Sequence, residues 1–328
     1  MIIEAPPQIL ISHSSLNSFR KPFQNPNPNF RKHFFLSLNG SSLLTPLTQF
    51  SRQANTFALP TSDPGLLFRE KILYIENLKI NARKALQQNP NLRSTPLSSL
   101  KSVEDCLCSM GIERSALGRI LDMHPQLLTC DPHYDIYPIF DFLLNEVEIP
   151  FPDIRRSVIR CPRLLVCSVN GQLRPTLCFL RNLGFVSINF QKALLLVSSV
   201  EGTLLPKIKY LQSLGLSYEE VVNMVLRSPG LLTFSIRNNF MPKVEYFVKE
   251  MRGDIFQLKR FPQYFSFSLE GRIKPRHRLL VEHGFSLPLS EMLKVSDGEF
   301  NSWLIEMQLR SVNGRPSEKL GQKASFFL

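Results

Sequence analysis

The sequence predicts an all-α protein, an α-solenoid of stacked helical repeats, and three observations carry that prediction. The first is a pair of prolines thirteen residues apart, with two large apolar residues following the first one. It occurs as Pro125-Gln-Leu-Leu to Pro138, Pro162-Arg-Leu-Leu to Pro175, Pro229-Gly-Leu-Leu to Pro242 and Pro262-Gln-Tyr-Phe to Pro275. A further copy, Ala193-Leu-Leu-Leu to Pro206, keeps the spacing without its first proline, and a weaker one starts at Pro90-Asn-Leu with Val103 in the second proline's place. The second observation is the period: successive copies begin 35, 37, 31, 36 and 33 residues apart. Self-similarity at this period marks units that bury their apolar faces against one another. The third is that apolar residues between the prolines recur at helical spacing.

Residues 1–62 hold five basic residues (Arg20, Lys21, Arg31, Lys32, Arg52), one acid (Glu4), nine Ser and four Thr, and no helical period. A Ser-rich, acid-poor, weakly basic leader reads as an organelle transit peptide, without the compact apolar run of a secretory signal. Few arginines and many hydroxyl residues favour a plastid, with the mitochondrion as the alternative. Leu66 to Leu86 reads as helical, an N-terminal cap of the array. The solenoid is expected over 63–310.

The copy from Pro206 to Leu232 shows the grammar of one unit. Pro206 suits the first turn of a helix, where its missing N–H has no partner to lose. Ile208, Leu211 and Leu214 then form a one-sided stripe, and Gly215 is a C-cap. Ser217 with Glu220 is a capping box opening a second helix. Ser228-Pro229 stops that helix, because the residue before a proline resists helical geometry. Leu231, Leu232 and Phe234 make a short apolar third element. Gly111, Gly184 and Gly284 lie near Gly215's place in other units, so each reads as helix, helix, short turn. Ser286 to Leu309 adds two helical stretches with the single tryptophan, Trp303, and 311–328 is a polar tail.

Composition narrows function. The chain carries +12, of which the leader accounts for +4, so the body is basic and compatible with a polyanion. No apolar run is long enough to span a membrane. Cys130 and Cys167 share a register column with Ser198, Phe234 and Phe267, so they are expected in the core, while Cys106 and Cys108 point to different faces of one helix. No C-x-x-C pair, H-E-x-x-H, phosphate-binding glycine loop or G-x-S-x-G occurs, so neither metal, cofactor nor enzymatic chemistry is expected. His124 and His277 have no carboxylate or Cys at ligand spacing.

The helix-opening proline, the turn Pro206-Lys-Ile-Lys-Tyr-Leu-Gln-Ser-Leu-Gly-Leu-Ser and the later Ser228-Pro229-Gly-Leu-Leu together resemble the mTERF repeat, over about residues 85–300. That resemblance implies a left-handed superhelix gripping nucleic acid along a basic groove. It implies roles in organellar transcription and its termination or, in plants, intron splicing and ribosomal RNA maturation. The sequence departs from the pattern at the Ala193 copy and at Glu250-Met251-Arg252-Gly253-Asp254, which replaces the usual Leu-Gly turn. The implied partners are double-stranded DNA or structured organellar RNA, with the organellar RNA polymerase or splicing factors, for a monomer away from membranes. A protein-binding scaffold without nucleic acid is the reading from another class.

In this register two groups of cations are candidates for nucleic-acid contact. Arg160, Arg227 and Arg260 each stand two residues before the repeat proline or its equivalent, with Gln88, Met123 and Gln191 in the other copies. Helix C-termini favour cations on dipole grounds alone, so phosphate contact and simple capping remain two readings of this column. The second group follows the other proline: Lys207, Lys209, Lys243, Lys274, Arg276 and Arg278, with Arg174 one column over. Phosphates need only positive charge at tolerant spacing. Base-reading residues cannot be placed from sequence.

Overall fold

A computed structural model describes residues 63–312. The expected leader at 1–62 and the tail from 313 onward lie outside the described residues, which themselves belong to a single unit. Among the described residues every regular element is helical and no strand occurs. The all-α solenoid is therefore what the chain forms, although most units contain an element beyond helix, helix and turn.

That extra element is a wide turn before the second proline. Val169–Leu173, Val200–Leu204, Ile236–Phe240 and Leu269–Ile273 are each one π turn, flowing into the helices Arg174–Asn182, Leu205–Ser213, Met241–Lys249 and Lys274–Glu282. Their bonds reach five residues back: Leu173 N–H to Ser168 O at 3.0 Å, Leu204 N–H to Ser199 O at 3.1 Å, Phe240 N–H to Ser235 O at 3.1 Å. A proline inside a continuous α-helix clashes with the carbonyl four residues earlier, and widening that turn moves the carbonyl aside. A serine caps each wide turn, Ser168, Ser199, Ser235 and Ser268 accepting from Gly171, Gly202, Asn238 and Gly271 N–H. The Pro-x-Leu-Leu segments are short 3₁₀ turns, Pro125–Thr129, Pro162–Val166, Pro229–Thr233 and Pro262–Ser266. Their apolar pairs (Leu127 with Leu128, Leu164 with Leu165, Leu231 with Leu232, Tyr264 with Phe265) are all at most 2% exposed. Fully burying one such side chain contributes about 1.5–3 kcal/mol.

After the first helix of every unit stands one residue with positive φ: Lys79, Gly111, Glu148, Gly184, Gly215, Arg252 and Gly284. Four are the glycines read as C-caps. Three are not, so Lys79, Glu148 and Arg252 hold a left-handed conformation that a Cβ disfavours. The separation from this residue to the start of the next turn sets the length of the second helix. Fourteen residues (Gly111 to Pro125, Glu148 to Pro162, Gly215 to Pro229) leave ten-residue helices at Arg114–Met123, Phe151–Arg160 and Tyr218–Arg227. Ten residues (Arg252 to Pro262) leave only Ile255–Arg260. Nine (Gly184 to Ala193) leave none: 185–192 contains no helix, and Val186 is 99% exposed. The Ala193 copy has thus lost a helix as well as a proline, because too few residues remain to nucleate one.

Units stack through like elements. The Tyr218–Arg227 helix packs on Ile255–Arg260, and the Pro229–Thr233 turn packs on Pro262–Ser266. Phe240 meets Phe265 edge-on at 4.9 Å between ring centroids, a favoured aromatic geometry. Cys167 is buried as its column requires, Cys130 is only half-buried and so falls short of the core place expected for it, and Cys106 is buried while Cys108, on another face of the same helix, is exposed. Burial pushes the Cys106 thiol up to about 11 and, with Asp135 adding to it, Cys130 up to about 12. At the C-terminal end Leu289–Lys294 and Asp297–Val312 close the array, the last helix running two residues beyond the expected limit at 310.

Candidate nucleic-acid interface

Of the ten cations singled out by register, Lys209 is exposed and the other nine fall into three environments. Lys207, Lys243 and Arg276 are 8%, 6% and 4% exposed. Lys207 donates to Leu232 O at 2.5 Å and Lys243 to Phe265 O at 2.6 Å, while Arg276 donates to Met292 O at 2.6 Å and Val295 O at 3.0 Å and pairs with Asp297. Their place in the repeat explains this. The residue after the second proline faces the third element of its own unit or, for Arg276, the end of the Leu289–Lys294 helix, where carbonyls lack helical partners, and a long cation reaches them. Thr176 fills the same place one unit earlier, donating to Ser198 O at 3.1 Å, and Lys71 does so near the N-terminus, donating to Leu92 O and Arg93 O. Desolvation lowers the lysines of this column, Lys243 to about 8. These three cations hold the fold together and do not face a ligand, which corrects their assignment to a phosphate-binding group.

Arg174 and Lys274 are half-buried and ion-paired. Arg174 grips Glu146 with two bonds at 2.5 and 2.8 Å and also reaches Asn170, and Lys274 pairs with Glu270 and lies over the Tyr246 ring at 5.7 Å. Arg278 is exposed, and among the described residues no hydrogen bond or ion pair holds it.

Arg160, Arg227 and Arg260 are each exposed and each the last residue of a second helix. Arg227 Nη2 donates to Lys259 O at 2.5 Å, which sets Arg227 beside Arg260 on the edge shared by two successive units. Arg160 ends the Phe151–Arg160 helix, which packs on the Ala193–Leu195 turn. Arg160 and Arg260 make no hydrogen bond or ion pair among the described residues.

One helical turn earlier, four residues back on the same helix face, stand Arg119, Arg156 and Asn223, ahead of Met123, Arg160 and Arg227. Arg119 is exposed and unpaired among the described residues, and Arg156 pairs with Asp153 at 3.1 Å and covers the Phe190 ring. Register alone carried the signal for these two, since it repeats in the copies at 84, 119 and 156 as Lys, Arg, Arg. Asp122, beside Met123 at the end of its helix, is paired across units by Lys84 at 2.7 Å, while Glu113 and Glu220, at the opposite helix ends, are paired by Arg155 at 3.2 Å and Lys259 at 2.6 Å.

No group of His, Cys, Asp or Glu among the described residues could hold a metal ion, and no helix there is long and apolar enough to cross a membrane. Comparison with known proteins agrees with this architecture. The chain is 36% identical over 99 residues to transcription termination factor MTERF5, chloroplastic, of Arabidopsis thaliana, a match covering 30% of this chain and 20% of that protein. It is 30% identical over 159 residues to MTERF2, chloroplastic, covering 48% and 20%, and 24% identical over 195 residues to MTERF8, chloroplastic, covering 58% and 38%, both of the same plant. The matches thus span between a fifth and two fifths of these relatives. The mTERF family profile matches residues 51–184 and 182–301, most of the described array, and the chain belongs to the mTERF family.

Proposed function

We propose that this protein binds nucleic acid through its phosphate backbone along the edge formed by the ends of its second helices. The leading ligand is double-stranded DNA, and the process is regulation or termination of transcription in a plastid. The observation that carries this reading is the row of exposed arginines, Arg160, Arg227 and Arg260 with Arg119 one turn earlier on its helix. Arg278 adds a further exposed cation, and Arg174 and Lys274 contribute through their surface-facing half. The relatives' names, which pair transcription termination with the chloroplast, and the leader's composition support the process and the compartment. No chemistry is assigned: bound protein acts as a steric and electrostatic block to the polymerase.

A second reading, structured RNA for splicing or ribosomal RNA maturation, is favoured by one observation. Several aromatic rings that register placed in apolar columns or left unassigned are exposed, Tyr134 at 82%, Tyr218 at 51% and Phe256 at 49%. Recognition of RNA draws on such rings.

Filter binding of the full-length protein to a duplex DNA and a folded RNA across a salt series tests the assignment. Binding should weaken with salt, and replacing Arg160, Arg227 and Arg260 by Gln should flatten the log–log slope on duplex by about 2.7, at about 0.9 per lost phosphate contact. Failure to hold either ligand at low salt selects the protein-binding scaffold instead.

A further inference from the structure

We infer that the array bends at one joint, between Ser198 and Ser199, so that its arginine edge works as two patches that swing to fit one duplex. Arg119 and Arg160 lie before the joint, Arg227 and Arg260 after it. The inference rests on the nucleic-acid reading above and adds how the edge adapts to its ligand.

A unit missing its second helix creates the joint. Where other units carry that helix, 185–192 forms a strap whose N–H groups at 186–191 make no hydrogen bond among the described residues. The bonds that Lys192 makes, from Nζ to Ser187 O and from N–H to Asn189, stay within the strap. Arg156 of the preceding unit covers Phe190, and Gln172 and Thr176 donate to Val197 O and Ser198 O within the unit. The strap and the turn after it are thereby fastened to the N-terminal side. The family profile breaks inside this same unit, matching 51–184 and then 182–301.

Nothing comparable fastens the other side. Among the described residues no hydrogen bond, ion pair or ring contact links any residue up to Ser198 with any from Ser199 onward. Elsewhere units are tied by directional bonds: Arg155 to Glu113 and Arg174 to Glu146 before the joint, Arg227 to Lys259 O, Lys259 to Glu220 and Tyr246 to His277 after it. Contact across the joint is apolar, an added Cβ on Gly184 meeting Leu226 Cδ1 at 3.2 Å. Apolar contact is non-directional, so it survives a change of angle that a hydrogen bond does not. The place on the edge between Arg160 and Arg227 is Gln191, uncharged and on no helix end. Duplex DNA is stiff over the length of a binding site, so a jointed protein is the partner that adapts.

Spin labels on the full-length protein test the joint. Cys108 and Cys178 are exposed and lie on one side of it, so the native pair is the control. Cys178→Ser with Ser213→Cys puts the pair across it, Ser213 being exposed on the next unit's first helix. The distance distribution across the joint should be about twice as wide as the control in free protein, and should narrow on adding duplex. Inserting five residues after Asn189 raises the nine from Gly184 to Ala193 to the fourteen that carry a second helix elsewhere. That insertion should narrow the free distribution to the control's width. Equal widths without the insertion overturn the joint, whether or not the insertion variant folds. A wide distribution that bound duplex leaves unchanged overturns the fit to ligand while sparing the arginine edge. Failure to bind duplex overturns the nucleic-acid reading, and the widths in free protein still decide the joint.

Discussion

Two columns of cations run through the same repeat and meet opposite fates. Lys207, Lys243 and Arg276 follow the helix-opening proline and lie inside, the lysines donating to carbonyls of the third element and Arg276 to those at the end of the Leu289–Lys294 helix. Arg160, Arg227 and Arg260 precede the turn proline and lie on the surface. Both columns are equally basic and equally periodic, so periodicity identifies equivalent positions without revealing which face they share. What separates them is the supply of unpaired acceptors. The inner column faces carbonyls left over by short turns, and each buried carbonyl needs a donor to avoid the cost of an unmade hydrogen bond.

The sharpest way to break this distinction is Arg276→Ala. It strips two buried carbonyls of their donor and leaves Asp297 with Arg272 alone. A stability loss of about 3 kcal/mol in urea unfolding is expected, with an unchanged salt slope for nucleic acid. A flattened slope with intact stability would return Arg276 to the binding surface.

Lys243 provides a pH test of the inner column. Its folded pKa is lowered by burial to about 8, against 10.5 when unfolded. Between these values the unfolded chain binds more protons, so stability must rise with pH. Lys71 and Lys207 are shifted in the same direction, whereas the buried thiols, raised above 9, oppose it at higher pH. The clean window is therefore pH 8 to 9. There the urea midpoint of wild type should climb relative to Lys243→Met, by no more than about 1.4 kcal/mol over the unit. Parallel profiles would mean the amine titrates as if in water.

Much of this architecture was legible beforehand. Prolines, glycines and the Ser217–Glu220 capping box announced elements whose local chemistry is decisive, and the capping box is present as read. The π turns were not legible, because Ser168, Ser199, Ser235 and Ser268 look like ordinary loop serines until the wide hydrogen bonds are seen. The left-handed positions at Lys79, Glu148 and Arg252 were hidden for the converse reason: stacking forces a conformation that their side chains argue against. Glu148→Gly should relieve that strain and raise stability by about 1 kcal/mol, while Gly215→Ala, with open space around the new Cβ, should lower it by a similar amount. Among the candidate site residues, helix-terminal arginines were readable from charge and register. The fate of the other column depended on orientation about the first helix, which a one-residue offset from proline does not disclose.

The smallest effect divides the outer column against itself. Arg227 donates to Asn223 O at 3.3 Å and Lys259 O at 2.5 Å, tying one unit to the next, whereas Arg160 makes no such bond among the described residues. Substituting each by Gln removes one charge from the same kind of site, a helix C-terminus at the unit edge. Arg227→Gln should lower stability by about 1 kcal/mol, the ordinary worth of a charged hydrogen bond at a wet surface, and Arg160→Gln should stay within about 0.5 kcal/mol of wild type. Both should flatten the duplex salt slope, by about 0.9 for one phosphate each, if the edge binds as a row. A slope change at Arg160 alone would assign Arg227 to holding units together, and the ligand would then follow only the part of the edge where arginines have no protein carbonyl to satisfy.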